Sequence, residues 1–176
     1  MTLNEAVGQD LEWRQPGALH RFYQLTRDGR EIATLRFEKS YGSLATGVCG
    51  QAEWTFKRTG FLSPKISVRE AGSETDLALF TPGWTGSGWV VFGSGRRYHL
   101  RHTNFWGTEW VFEAEDGGAA ITLSGSQGFV KQSGAATVAQ SAVGLPETPV
   151  MLLLIWYLRV LMNEDASSGA VVAASG

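Results

Sequence analysis

The stretch GSGRRYHLRH, Gly93 to His102, gathers Arg96, Arg97, Arg101, His99 and His102 into one short segment. A guanidinium can hold a phosphate through two parallel N–H···O bonds, and a glycine turn can add backbone N–H groups, so the chemistry on offer is recognition of an anionic headgroup. In an extended strand Arg97, His99 and Arg101 share one face and Tyr98, Leu100 and His102 the other, with Arg96 at the turn. The candidate ligand-binding residues are therefore Arg96, Arg97, His99 and Arg101. A blander reading uses the same residues: a solvated outer face whose arginines pair across strands with Glu109, Glu113 or Glu115.

Other chemistries find weaker support. The separation of His99 from His102 is odd and points them to opposite sides of a strand, and His20 is isolated, so no metal site is expected. Cys49, between Val48 and Gly50 and with no histidine near it in sequence, reads as a small packing residue. Neither TGSGW nor SGSQG matches a G-x-S-x-G elbow, and GSGRRY lacks the strand and helix context of a phosphate-binding loop. EAEDGG lacks the alternating oxygen ligands of a calcium loop and reads as a hairpin tip. No catalytic residue and no cofactor is expected. Trp84, Trp89, Phe105 and Trp106 flank glycines, where rings can form a ligand rim or, more simply, close a barrel end.

These residues need elements to carry them. In FYQLTRDGREIATLRF the Asp28-Gly29 pair separates two alternating runs, which predicts a hairpin with Tyr23, Leu25, Ala33, Leu35 and Phe37 on one face. The alternation recurs in QAEWTFK, KISVR and EWVFEAE, while Pro82 and Gly83 end the apolar LALF. GWVVFGSGRRYHLRH reads as a hairpin turning at Gly93 to Gly95, EDGG turns into AAITLSG, and GFVKQSGAATVAQSAVG supplies two weaker strands. About a dozen strands result.

TPVMLLLIWYLRVLM, Thr148 to Met162, is different: apolar on nearly every side and opened by Thr148 as N-cap and Pro149 at the first helical position. The helix is expected to stop at Asn163. Its length, roughly 21 Å at about 1.5 Å per residue, falls short of a bilayer core of roughly 30 Å, so no transmembrane segment is expected. A helix apolar all round must still be enclosed. The half-dry strands can enclose it, which predicts a mainly β fold: a closed antiparallel barrel of about twelve strands around a central hydrophobic C-terminal α-helix. Arg159 is expected near a barrel mouth, its guanidinium reaching water or a carboxylate.

At 176 residues the chain reads as one domain, 11–163, with 1–10 and 164–176 as flexible termini. Seven tryptophans, nine phenylalanines and 22 glycines suit short strands and tight turns rather than a helical bundle. A net charge of -2 supplies no global positive field, so no nucleic-acid partner is expected. A single cysteine and an N-terminus without a basic and apolar leader point to a cytoplasmic location, free or peripheral to a membrane.

The late LPETPVMLLLIWYLRVLMNED helix after paired strands such as FYQLTRDGREIATLRF resembles the tubby C-terminal-like superfamily, which includes the phospholipid scramblase-like and LURP-one-related proteins. The likeness covers Leu11 to Asn163. It implies a barrel enclosing its own helix and, from tubby-type members, recognition of phosphoinositide headgroups by basic residues on the barrel. The Pro-rich leader and cysteine cluster of scramblase-type members are missing here, which places scramblase-like lipid transport third. The leading expectation is a non-enzymatic intracellular binding or scaffold module that meets an anionic membrane surface or a protein partner through its basic outer face. The alternative is a barrel carrier or enzyme for a small apolar ligand.

Overall fold

The computed structural model describes residues 10–83, 85–103, 108–125 and 132–174, with side chains as far as Gly169. Alternation of apolar and polar residues produces the strands Leu11–Arg14 (β1), Phe22–Arg27 (β2), Arg30–Phe37 (β3), Ala45–Cys49 (β4), Ala52–Thr59 (β5) and Lys65–Glu70 (β6). It continues in Ala78–Pro82 (β7), Gly88–Phe92 (β8), Arg97–His102 (β9), Glu109–Ala114 (β10), Ala119–Ser124 (β11) and Ser133–Val138 (β12). Each strand pairs antiparallel with its sequence neighbours, and β1 closes the barrel against β12, Leu11 opposite Ala136 and Trp13 opposite Gly134. Closure removes every exposed sheet edge.

The β2–β3 turn shows how directly sequence sets register. Asp28 and Gly29 both take positive φ, 49° and 75°, the conformation that Asp-Gly tolerates and that a twisted two-residue hairpin requires. Tyr23 then faces Leu35 and Leu25 faces Ala33, all buried.

The interior belongs to the helix Thr148–Ala174 (α1), whose residues from Val150 to Leu161 are all buried. Helix side chains come close to glycines of the wall, as at Gly47 of β4. A Cβ there would lie 2.8 Å from Phe56 Cε2 and 2.9 Å from Leu153 Cδ1. Trp156 stacks on Trp13 and Tyr157 on Phe37, so the filling is close-packed rings rather than a cavity. Among the described residues no helix is long and apolar enough to cross a membrane.

Four local expectations need correction. The two weaker strands expected in GFVKQSGAATVAQSAVG resolve into β12 and a 3-10 turn at Gln140–Ala142, while 126–131 lie outside the described residues; β1 and the Gly-containing β4 join the count instead. The Thr148 hydroxyl donates to the Ala142 carbonyl rather than capping the helix, tying its start to that 3-10 turn. The helix does not stop at Asn163 but runs to Ala174, because Glu164 and Asp165 are held by Arg21 and Arg58 and keep the backbone helical past the mouth. Ser167 and Ser168 then return hydrogen bonds to the carbonyls four residues back. Finally, Arg159 does lie toward a barrel mouth, but it is only 3% exposed and has no carboxylate partner among the described residues: Nη2 donates to the Gly125 carbonyl at 3.0 Å, and burial lowers its pKa.

Candidate functional site

Strand β9 places Arg97, His99 and Arg101 outward and Tyr98 and Leu100 inward, with His102 on their side. The outward arginines are not free cations. Arg97 pairs with Glu115, its Nε donating at 2.8 Å, and Arg101 takes both oxygens of Glu113 in a fork. Arg96, at the turn, donates to the buried carboxylate of Glu147 at 3.1 Å, where Ser94 also donates, and so braces the start of α1. His99 stacks on Trp89 of β8 at 4.7 Å, with the Arg97 guanidinium over the same ring. Trp89 therefore packs on the outer wall and does not close a barrel end; Trp84, Phe105 and Trp106 lie outside the described residues. The stripe of Arg96, Arg97, His99 and Arg101 is thus brought together as a surface whose positive charge is met by carboxylates.

His102 is set apart. Its ring meets Trp110 edge to face, neither buried nitrogen makes a hydrogen bond of good geometry, and burial lowers its pKa against the opposing pull of the neighbouring Gly86 backbone. Cys49 packs against the core, where burial pushes its thiol up to about 11, so little thiolate exists at neutral pH.

A second surface carries unpaired charge. Strand order fixes it: loops after odd-numbered strands share the end where α1 leaves the barrel, and turns after even-numbered strands share the other. The far turns carry Asp28, Glu74, Asp76, Glu115 and Asp116. The helix-exit end carries Arg14, Arg36, Lys39, Lys57 and Lys65, none of them ion-paired among the described residues. Unpaired basic charge therefore collects at the helix-exit end, whereas the far end mixes its carboxylates with Arg27, Arg30, Arg69, Arg96 and Arg97 and pairs several of them.

This end is held firmly. Arg21, after β1, donates to the Lys39 and Gly42 carbonyls at 3.1 and 2.9 Å, to Glu164 at 2.6 Å, and lies 3.9 Å over the Phe37 ring. One side chain thus ties the β1–β2 loop, the β3–β4 loop and the emerging helix. Burial raises the pKa of Glu164 even so, against the pull of Arg21. Arg58 grips Asp165 through two nitrogens, and Tyr157 donates its hydroxyl to the Ser43 carbonyl at 2.6 Å.

Between these two loops lies an open groove of about 450 Å³, lined by His20, Arg21, Arg36 and Lys39 over Phe22 and Phe37, with Glu38 as its carboxylate. Arg36 rests on the Phe22 ring at 5.2 Å, and the buried Arg21 Nε has no partner. A second groove, along β1, β11 and β12, balances Arg14 with Glu12 and offers no net charge.

Sequence reasoning passed over the first groove because its cations come from separate loops, unlike the contiguous Arg96 to Arg101. The readable signal is the character of the loops after odd strands: KSYGS and GFLSPK join lysines and large apolar residues, whereas DG, GSETD and EDGG after even strands are acidic, GSGR after β8 being the basic exception. Comparison with family models, with curated proteins and with solved structures finds no match to this chain.

Proposed function

We propose that this chain is a non-enzymatic binding module for anionic lipid headgroups, engaged from the outside of the barrel at the groove of His20, Arg21, Arg36 and Lys39. The observation that carries the reading is the contrast between Arg36 and Lys39, which have no ion pair among the described residues, and the ion-paired arginines on β9. A phosphate at Arg97 or Arg101 must displace a carboxylate that already satisfies the guanidinium. A phosphate at Arg36 or Lys39 has no such ion pair to break, Arg36 resting over the Phe22 ring of the groove and Lys39 near the Tyr41 ring beside it. The interior favours the same reading over a carrier, since Trp13, Phe56, Trp156 and Tyr157 occupy the space an apolar ligand would need. The order of elements, paired strands and then an enclosed helix, is what supports the resemblance to the tubby C-terminal-like superfamily. A single cysteine and the negative inner leaflet favour a cytoplasmic, membrane-peripheral setting.

The test is calorimetric titration with a soluble inositol trisphosphate at low and physiological salt. Saturable binding that weakens as salt rises is expected, and the Arg36→Glu, Lys39→Glu double variant should lose it. Absence of binding by the wild type at low salt overturns the reading.

A further inference from the structure

The large apolar residues most exposed among those described gather at the helix-exit end. Phe61 and Leu62, at the tip of the β5–β6 loop, are 98% and 94% exposed. Leu19 in the β1–β2 loop is 93% exposed and Tyr41 in the β3–β4 loop 74%. Because β1 to β6 are consecutive around the wall, these three loops form one continuous arc. Hairpin tips are ordinarily polar, and exposed apolar residues held together on braced loops mark an interaction surface.

Charge identifies what that surface meets. Lys57 and Lys65 stand at the foot of the Phe61–Leu62 tip, Lys39 lies 5.9 Å from the Tyr41 ring, and Arg36 lines the groove between the first two loops. Apolar tips ringed by unpaired cations complement a layer with an anionic surface above an apolar interior. Beyond Asp165 the chain to Gly176 carries no charged side chain, so the part of α1 that leaves through this mouth brings no charge to oppose the approach. Glu164 and Asp165, the carboxylates at its base, are already matched by Arg21 and Arg58.

We propose that the helix-exit end docks on an anionic lipid bilayer, with Leu19, Tyr41, Phe61 and Leu62 entering the boundary between headgroups and acyl chains while the cations meet the headgroups. This rests on the headgroup reading above and adds the bilayer itself and the mode of contact. Basic attraction alone is screened by salt, whereas burial of the tips is not, so a remnant of binding should persist at physiological ionic strength.

The experiment uses the full chain with vesicles of phosphatidylcholine alone or mixed with phosphatidylserine and a phosphoinositide. An environment-sensitive dye is placed through Phe61→Cys in a Cys49→Ala background. Sedimentation with the anionic vesicles and a blue shift of the dye are expected. The Phe61→Ser, Leu62→Ser double variant should partition about tenfold or more weakly while binding soluble inositol trisphosphate as the wild type does. Unshifted dye and unchanged partition of that variant, with headgroup binding intact, overturn the insertion and leave the headgroup reading standing. Failure of the wild type to bind either vesicle or soluble headgroup removes both. Concentration-dependent self-association of the wild type, lost in the serine variant and insensitive to lipid, shows that the tips meet a second copy and likewise overturns the proposal. An unaltered melting temperature of the serine variant keeps these outcomes separate from misfolding, as expected for side chains that touch nothing.

Discussion

Trp156 on the enclosed helix lies flat against Trp13 on β1, ring centroids 5.1 Å apart and planes within 9°. The stack joins the strand that closes the barrel to the helix that fills it, and Tyr23 meets the Trp156 ring from the side at 5.8 Å. Closure and filling are therefore one packing event. Trp156→Ala should cost about 3 to 5 kcal/mol, a large share of a total stability of roughly 5 to 15 kcal/mol. Chemical denaturation monitored by circular dichroism measures it.

Gly47 marks a tight contact between wall and helix. A valine there must displace Phe56 and Leu153, both wholly buried, and overpacking of this kind costs about 1 to 3 kcal/mol. Thermal unfolding should show Gly47→Val melting well below wild type, with Gly29→Ala, in an open turn of positive φ, affected through backbone strain alone.

Arg21 links two loops to the helix end, so Arg21→Ala loses three hydrogen bonds and leaves Glu164 partly buried without its cation. A loss of about 1.5 to 3 kcal/mol is expected. Hydrogen exchange should rise in the 15–21 and 38–44 loops first, before the core strands respond.

His102 gives the fold an acid-sensitive contribution. Burial holds its pKa below the ordinary 6.5, so as pH falls the unfolded chain takes up the proton first. The stabilisation from the neutral ring is complete above the unfolded pKa and declines as pH drops below it. His102→Phe keeps the edge-to-face contact with Trp110 and removes the titration. Its melting temperature should fall less than that of the wild type between about pH 7.5 and about pH 5.

Much of this architecture is legible in the sequence. Asp28-Gly29 announces its hairpin, the alternation in QAEWTFK and EWVFEAE fixes which faces are dry, and the all-round apolarity of Pro149 to Met162 demands enclosure. What escaped are features decided by distant partners. β4 is short and carries Gly47 where a strand residue would show a side chain, and its role appears only once Leu153 lies against it. The persistence of the helix past Asn163 depends on Arg21 and Arg58, far away in sequence. The candidate site divides in the same way. The β9 stripe was visible because it is contiguous, and its cross-strand carboxylates were foreseeable from EWVFEAE. The groove of His20, Arg21, Arg36 and Lys39 exists only when two loops are brought together by the barrel.

The most direct test sets the two basic surfaces against each other. The Arg36→Glu, Lys39→Glu and Arg97→Glu, Arg101→Glu double variants change the net charge equally, so a long-range field alone cannot tell them apart. The Arg97 and Arg101 ion pairs lie on the solvent-exposed outer wall, where such pairs add little to stability, so both proteins should remain folded, as melting curves will verify. Co-sedimentation with phosphoinositide-containing vesicles at low salt is then measured for each. Loss of sedimentation in the Arg36 and Lys39 variant, with the Arg97 and Arg101 variant retaining it, is the predicted result. The reverse pattern, binding lost at β9 and kept at the groove, contradicts the account.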